Sequence, residues 1–323
     1  ILITGGAGFI GSHLTKKLIK QGHIITAYDN LSTGNLKNIL EFQNNKNYNL
    51  VISDVLDAER LDKLIEQHDL VYHLAAVVGV KQVMEKPVDT IRVNTLGTEN
   101  VLHSCSKYNK QVLIASTSEV YGKAMKYTKS NNGLDEENDS VFGNTNIRRW
   151  AYATSKALDE FLALAYYHEK KLPVIIVRFF NTVGPGQVGN YGMVLPIFVQ
   201  KALAGDPLPI FGDGNQRRSF AYVGDVVDAV IKLMNHDNIF GKVFNIGNDK
   251  EITINDLADL VISKSKSQSV KTYVTYEDAY GSGFEDMNRR KPNLDKIKRY
   301  INYKPSIELD EIVDKVIGYY KSN

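Results

Sequence analysis

The sequence predicts an α/β protein built on a doubly wound parallel sheet, and two observations carry that prediction. Short apolar runs recur through the first half of the chain: ILIT (1–4), IITAYD (24–29), DLVYHLAA (69–76), QVLIAS (111–116) and PVIIVRFF (173–180). Between them, stretches such as 11–21 and 94–107 repeat apolar residues at three- and four-residue spacing, as a helix with one buried face does. Strands alternating with helices at this interval imply βαβ units. Strands that are apolar almost without interruption need helices on both faces of the sheet.

With 323 residues the chain has room for one large domain carrying a smaller one. Hydrophobic residues make up 43% and charged residues 24%, an ordinary globular balance that argues against disorder. A net charge of +2 gives no reason to expect nucleic acid or a membrane surface as partner. The single cysteine, Cys105, excludes an internal disulfide and a multi-cysteine metal site, and suits a reducing, cytoplasmic setting. No apolar run reaches the ~18 residues of a membrane-spanning helix. Ile1 stands inside a strand pattern, without the charged and apolar regions of a secretory signal.

The first strand runs into TGGAGFIGSHL (4–14), which also opens the first helix. In that context the glycines acquire a purpose. Gly5 permits the sharp turn, Gly8 lets the backbone approach a pyrophosphate, and Gly11 lets helix and strand pack closely, with Phe9 and Ile10 between them. Free N–H groups at the helix start then face phosphates. Asp29 ends the second strand, where a carboxylate can accept from a ribose 2′-OH and would repel a 2′-phosphate, so NAD is expected over NADP. Asn30 comes next in the chain. Asp54 and Val55, in SDV (53–55) after a third strand, suit the adenine edge, and Leu74, Ala75 and Ala76 of HLAA complete the expected cofactor wall.

The QVLIAS strand ends in Ser116, Thr117, Ser118 and then a carboxylate, Glu119, which reads either as a solvated loop acid or as a group aimed into a site. YATSK (152–156) begins a helix, so Tyr152 and Lys156 share one face. A free tyrosine, with a pKa of about 10, is a poor base at neutral pH. An ammonium one turn along favours its phenolate. Thr117 can hydrogen-bond a substrate hydroxyl whose carbon gives up hydride. Together these residues read as an oxidoreductase-type site acting on a secondary alcohol.

After residue 181 the texture changes. NTVGPGQVGNYG (181–192) is a Gly-rich loop, MVLPIFVQKALAG (193–205) a helix, VFNIGN (243–248) a further strand, and another helix opens near Thr253. SNNGLDEENDS (130–140) reads as a solvated surface loop. The expected organisation is a dinucleotide-binding domain over 1–181, to which 219–250 returns, and a smaller C-terminal substrate-binding lobe from 182–218 and 251–323.

TGGAGFIGSHL, HLAA, STSEVYG, YATSK, RFFNTVGPGQ and GDGNQRRSF, in this order along the whole chain, resemble the extended short-chain dehydrogenase/reductase family, whose nucleotide-binding domain is a Rossmann sheet. The resemblance implies tightly held NAD, contacted by Tyr152 and Lys156 as well. It also implies a lobe for a nucleoside-diphosphate sugar, most simply a UDP-sugar, and chemistry that begins by oxidising C4. A homodimer formed through helices near 94–107 and 152–169 is implied too, unless those faces are buried within one subunit.

Members of the family differ in the step after C4 oxidation. Thr117-Ser118-Glu119 is similar to the triplet of UDP-glucuronic acid decarboxylases. A 4,6-dehydratase wants an acid where Ser118 stands, and 4-epimerases commonly carry small or neutral residues at both places. NIRRWAY (146–152) and YGSGFEDMNRRKPNLDKI (280–297) are similar to the decarboxylase pattern as well. By that similarity Arg149 contacts substrate. Arg290 anchors the sugar carboxylate or donates a proton, the anchor being favoured because guanidinium is a poor acid. Arg218 and Asn181 are assigned to the diphosphate, and Ser118 to the sugar. The expected catalytic set is Thr117, Glu119, Tyr152, Lys156 and Arg290, without metal. The expected reaction is decarboxylation of UDP-glucuronate to a UDP-pentose or its 4-keto form. A UDP-sugar 4-epimerase, a UDP-N-acetylglucosaminuronate decarboxylase, a 4,6-dehydratase and a non-catalytic NAD-binding regulator are the rival readings.

Overall fold

The computed structural model describes residues 1–128, 132–189, 193–281 and 284–322. Residues 130–131 of the expected surface loop, 190–192 of the Gly-rich loop and 282–283 of the late arginine stretch lie outside them.

A seven-stranded parallel sheet forms the centre. Its first six strands in chain order are β1 (Leu2–Thr4), β2 (Ile25–Asp29), β3 (Tyr48–Ile52), β4 (Leu70–His73), β5 (Gln111–Thr117) and β6 (Val174–Phe179). The seventh, Lys242–Ile246, pairs with β6 at the edge, with Phe244 opposite Val177. Across the sheet the order is Lys242–Ile246, β6, β5, β4, β1, β2, β3. The order reverses at β1/β4, and the crevice outside the carboxyl ends of strands at such a switch point is where an open α/β sheet takes its ligand.

Helices α1 (Phe9–Lys20), α2 (Ala58–Glu66), α3 (Val80–Glu85), α4 (Pro87–Lys107) and α5 (Trp150–Lys170) connect these strands. The sheet is apolar on both faces, as the uninterrupted runs predict. One face packs Ile3, Leu113, Ile175 and Val177 with helix Val223–Met234, and the other packs Leu2, Val71, Val112 and Ile114 with Val101, Leu102 and Ala163 of α4 and α5. Leu294, Ile297 and Tyr303 join the first of these cores. A separate core gathers Leu195, Phe198, Leu208, Leu257, Ile312 and Val316. It is built from helices Val194–Ala204, Ile254–Ser265 and Leu309–Ser322. The helix expected near Thr253 starts there because the Thr253 side chain accepts from Asp256 N at 3.0 Å.

The DLVYHLAA run is strand only as far as His73; Leu74–Ala76 leave the sheet and line the central cavity. The sequence extends the strand there because alanine and leucine carry no stop signal of their own.

A small sheet shapes the second half of the site. Arg217–Ser219 pairs antiparallel with Glu251–Thr253 and parallel with Arg289–Arg290, in a register that sets Arg290 beside Arg218.

Candidate active site

A cavity of about 780 Å³ opens at the carboxyl ends of β1, β2, β4 and β5 and runs across to the small sheet. Every residue expected at the site from sequence lines it: the glycine loop, Asp29, Asn30, Asp54, Val55, Leu74–Ala76, Thr117–Glu119, Arg149, Tyr152, Lys156, Asn181, Arg218 and Arg290.

The glycine loop fits a dinucleotide for steric and electrostatic reasons. Gly5 has φ +71°, and a Cβ there would sit 2.8 Å from Ala75 N. A Cβ on Gly11 would fall 2.1 Å from the Gly5 carbonyl oxygen, so only hydrogen fits. Gly8 caps α1 without a side-chain hydrogen bond, and the first turn holds no acid. Its N–H groups are therefore available to phosphate oxygens at the positive end of the helix. Asp29 is buried at the end of β2; its Oδ2 accepts from Ala7 N at 3.0 Å and its Oδ1 from Leu31 N at 2.8 Å. Burial raises its pKa, against those backbone donors. Asn30 Nδ2 donates to Asp54 Oδ2 at 2.7 Å, which ties the ends of β2 and β3 together beneath the same wall.

At the end of β5 the chain does not continue as a solvated loop. The Thr117 side chain accepts from Glu119 N at 3.2 Å and caps a single helical turn, Ser118–Tyr121. That turn directs Glu119 inward. Arg149 Nη2 donates to both of its oxygens, at 3.2 and 3.1 Å, and Arg290 Nη1 donates to Oε1. Burial disfavours the charge, but Arg149 and Arg290 outweigh it and hold the Glu119 carboxyl at about 2. Glu119 is ionised at every working pH.

The arginines belong to a larger cluster that centres on Asp286. Arg149 Nη1 donates to Asp286 Oδ1 at 2.8 Å, Arg218 Nη2 donates to both of its oxygens at 3.0 and 3.1 Å, and Tyr276 OH donates at 2.8 Å. Burial again opposes the charge, and Arg218 and Arg149 hold Asp286 at about 2. Arg290 Nη2 donates to Asn181 Oδ1 at 2.6 Å, while Asn181 Nδ2 is held by Ser219 O at 2.8 Å. Three guanidinium groups thus face two carboxylates, and the cluster keeps one positive charge in excess. Arg149 Nε and Arg290 Nε are buried without an acceptor among the described residues.

Tyr152 and Lys156 stand one turn apart on α5. Burial raises the pKa of the Tyr152 phenol, and the hydroxyl of Thr117 beside it acts in the opposite sense. The Lys156 ammonium is 2% exposed and donates to Asp159 Oδ2 at 2.7 Å.

The neighbouring arginines part company. Arg289 turns away to Glu251, with three contacts of 2.6–3.0 Å, and Arg148 Nη1 donates to Met84 O at 3.1 Å. Alternation along the Arg289–Arg290 strand explains the first case. Sequence reading did not single out Asp286, Tyr276 or Asp159. Asp286 lies inside the late arginine stretch, and an acid four residues before Arg290 is the signal that could have found it.

The chain matches the model of the NAD dependent epimerase/dehydratase family over residues 1–247. It belongs to that family. Its cofactor is NAD, as the glycine loop and the strand-end carboxylate require. Among curated relatives, UDP-N-acetyl-alpha-D-glucosaminuronate decarboxylase of Bacillus cytotoxicus is 40% identical, covering 99% of this chain and 97% of the relative. UDP-glucuronic acid decarboxylase 1 of Danio rerio is 35% identical over 99% of this chain and 72% of its own length. Among solved structures, UDP-glucuronic acid 4-epimerase from Bacillus cereus, in complex with UDP-glucuronic acid and NAD, superposes with a TM-score of 0.88. It is 27% identical and is covered to 98%, against 99% of this chain.

Proposed function

We propose that this family member decarboxylates a UDP-linked hexuronate, UDP-glucuronate in the primary reading, and releases a UDP-pentose or its 4-keto form. The observation that carries the proposal is Glu119, held ionised between Arg149 and Arg290 in the cavity that also receives Thr117, Tyr152 and Lys156. Gly5, Gly8 and Gly11 would cradle the NAD pyrophosphate and Asp29 its ribose, and the bound NAD would supply the acceptor for hydride from C4 of the sugar and its return at the end of the cycle.

Tyr152 takes the proton of the 4-hydroxyl, with the Lys156 ammonium favouring its phenolate and the Thr117 hydroxyl orienting the alcohol. Oxidation at C4 leaves the C6 carboxylate β to a ketone. The C5–C6 bond then breaks, its electron pair passes into the C4–C5 enolate, and CO2 departs. Arg290 anchors the sugar carboxylate, for which the excess positive charge of the cluster and its unused Nε donor are suited. Arg149 and Arg290 favour the ionised form of Glu119, whose fixed charge favours conversion of a neighbouring carboxylate into neutral CO2. C5 then regains a proton from water. Arg149 and Ser118 contact the sugar, and Arg218 with Asn181 takes the diphosphate. In this reading residues 182–218 and 251–323 form the nucleotide-sugar lobe over the NAD-binding part, 1–181 with 219–250.

A second reading, the N-acetylated uronate, is favoured by one observation: the relative named for that substrate is more similar to this chain than the one named for UDP-glucuronate. A homodimer is also part of the proposal. Val88 and Ile91 on α4 and Leu158 and Phe161 on α5 are exposed, Val88 to 74% and Phe161 to 73%, on two helices that already pack together. Sedimentation of the purified protein tests it. No helix of the described residues is long and apolar enough to cross a membrane, and a cytoplasmic setting is proposed with the rest.

The test is incubation with NAD and either UDP-glucuronate or its N-acetylamino analogue, with separation of the nucleotide sugars afterwards. A UDP-pentose from one of them supports decarboxylation. A 4-epimer without CO2 makes the chain an epimerase, and no turnover of either refutes the reading.

A further inference from the structure

Behind Lys156 lies a buried polar chain that the proposed chemistry does not use. Asp159, three residues along α5, is 0% exposed and accepts from the Lys156 ammonium at 2.7 Å. The hydroxyl of Thr98, on α4, adjoins its carboxylate. Thr98 Oγ1 lies 3.1 Å from His73 Nε2, and His73 Nδ1 lies 2.7 Å from Thr4 Oγ1, which also receives Ala75 N–H at 3.3 Å. With hydrogen on Nε2, Thr4 donates to His73 and His73 to Thr98, which leaves the Thr98 hydroxyl hydrogen free to face Asp159, whose Oδ1 has no hydrogen bond of its own among the described residues. His73 stays neutral, since burial and then the Lys156 charge hold its pKa at about 3.

An ion pair removed from water in this way is not a cheap source of stability, because desolvating both charges offsets most of their attraction. Its worth lies in fixing geometry. We propose that Asp159 is a positioning residue for the Tyr152–Lys156 pair: its carboxylate, aligned by the neutral Thr4–His73–Thr98 chain, holds the Lys156 ammonium where it serves the phenol. The proposal rests on the role of that pair in the proposed decarboxylation. Other titratable groups face the pair: Glu160 beside Asp159 on α5, the neutral His73 from β4, and Glu119 and Arg290 across the phenol. Glu160 is itself occupied by Arg178, at 2.7 Å. Asp159 is therefore the carboxylate that the ammonium answers to.

Two effects compete when Asp159 loses its charge. A static charge beside the phenol opposes the phenolate, so its removal would lower the tyrosine pKa. A positioning group, once lost, releases the ammonium and raises it. The sign decides between them.

The test monitors ionisation of Tyr152 in the NAD-loaded enzyme by carbon-13 NMR of ring-labelled tyrosine, with Tyr152→Phe to assign the resonance. Asp159→Asn is expected to raise the midpoint by about one pH unit or more, a tenfold loss of phenolate below it. Asp159→Glu should recover most of the shift, and Lys156→Met should mark its upper limit. Thr98→Val, which keeps both charges, should move the midpoint the same way by less, and stands as the reading if Asp159→Asn fails to fold. An unmoved or lowered midpoint in these variants overturns the proposal. If Lys156→Met leaves the Tyr152 midpoint at the wild-type value, the pair's own role falls, and this inference with it.

Discussion

Glu119 and Arg290 are 171 residues apart in the chain and meet in an ion pair that Arg149 completes from the start of α5. The pair joins the end of a sheet strand to the small sheet of the second half, so the carboxylate is placed by both parts of the protein. Nothing in the strand ending at Thr117 forces this; a late arginine in register with Arg218 does.

Replacing Glu119 by Gln keeps the shape and removes the charge. CO2 release should fall by roughly 100-fold, a loss of the size seen when a preorganised electrostatic contact is removed. NAD binding, measured by quenching of protein fluorescence, should stay within about twofold, because the glycine loop and Asp29 are elsewhere in the cavity. Equal losses in both measurements would mean that Glu119 supports the fold rather than the reaction.

Arg290→Lys keeps a cation but cannot span Glu119 and Asn181 together, as one guanidinium does. Turnover should fall by about tenfold or more. Arg289→Lys, beside it in sequence but facing Glu251, should leave turnover near the wild-type value.

Asp286 should matter more for stability than any acid on the surface. Asp286→Asn leaves Arg149 and Arg218 buried with a weaker partner, and breaking a buried pair costs on the order of 3 kcal/mol. Thermal melting should show the loss, accompanied by weaker binding of the sugar nucleotide as Arg149 and Arg218 relax.

Acid unfolding is governed by the same cluster. Glu119 has its folded pKa lowered from 4.5 to about 2, and Asp286 from 3.8 to about 2. A lowered folded value means that the native state holds fewer protons, so the stabilisation is complete above the unfolded values and is lost as pH falls through the window from 4.5 to about 2. The stability obtained from urea melts should fall steeply with pH across that window for wild type and less steeply for Glu119→Gln.

A side chain on Gly11 has nowhere to go. Gly11→Ala would drive a Cβ to 2.1 Å from the Gly5 carbonyl, and the loop would have to open. NAD affinity should fall by tenfold or more, about 1.4 kcal/mol, measured by calorimetry on the folded variant.

Much of this site is legible in the sequence because its parts are local. The glycine loop, the acid ending β2 and the Tyr152–Lys156 spacing each lie within one strand–turn–helix unit, where period and turn chemistry speak directly. The apolar runs give the sheet for the same reason. The arginine–carboxylate cluster is a different matter. Its members come from residues 119, 149, 218, 286 and 290, joined by the pairing of two short strands that no periodicity announces. Resemblance to known decarboxylases points to Arg149 and Arg290, but Asp286, which binds two of the three arginines, emerges only in three dimensions. Asp159 escapes for another reason: an acid three residues after a lysine on a helix usually lies on a solvated face, and here α5 packs against α4 and β5, leaving Asp159 0% exposed.

The most direct measurement is the fate of C6. UDP-glucuronate and its N-acetylamino analogue, each carbon-14 labelled at the carboxyl carbon, are incubated with the enzyme and NAD, and the gas phase and nucleotide sugars are counted. Decarboxylation predicts label in CO2 and an unlabelled UDP-pentose or 4-keto pentose from at least one of them. Label retained in a 4-epimer of either substrate, with none in CO2, would contradict it.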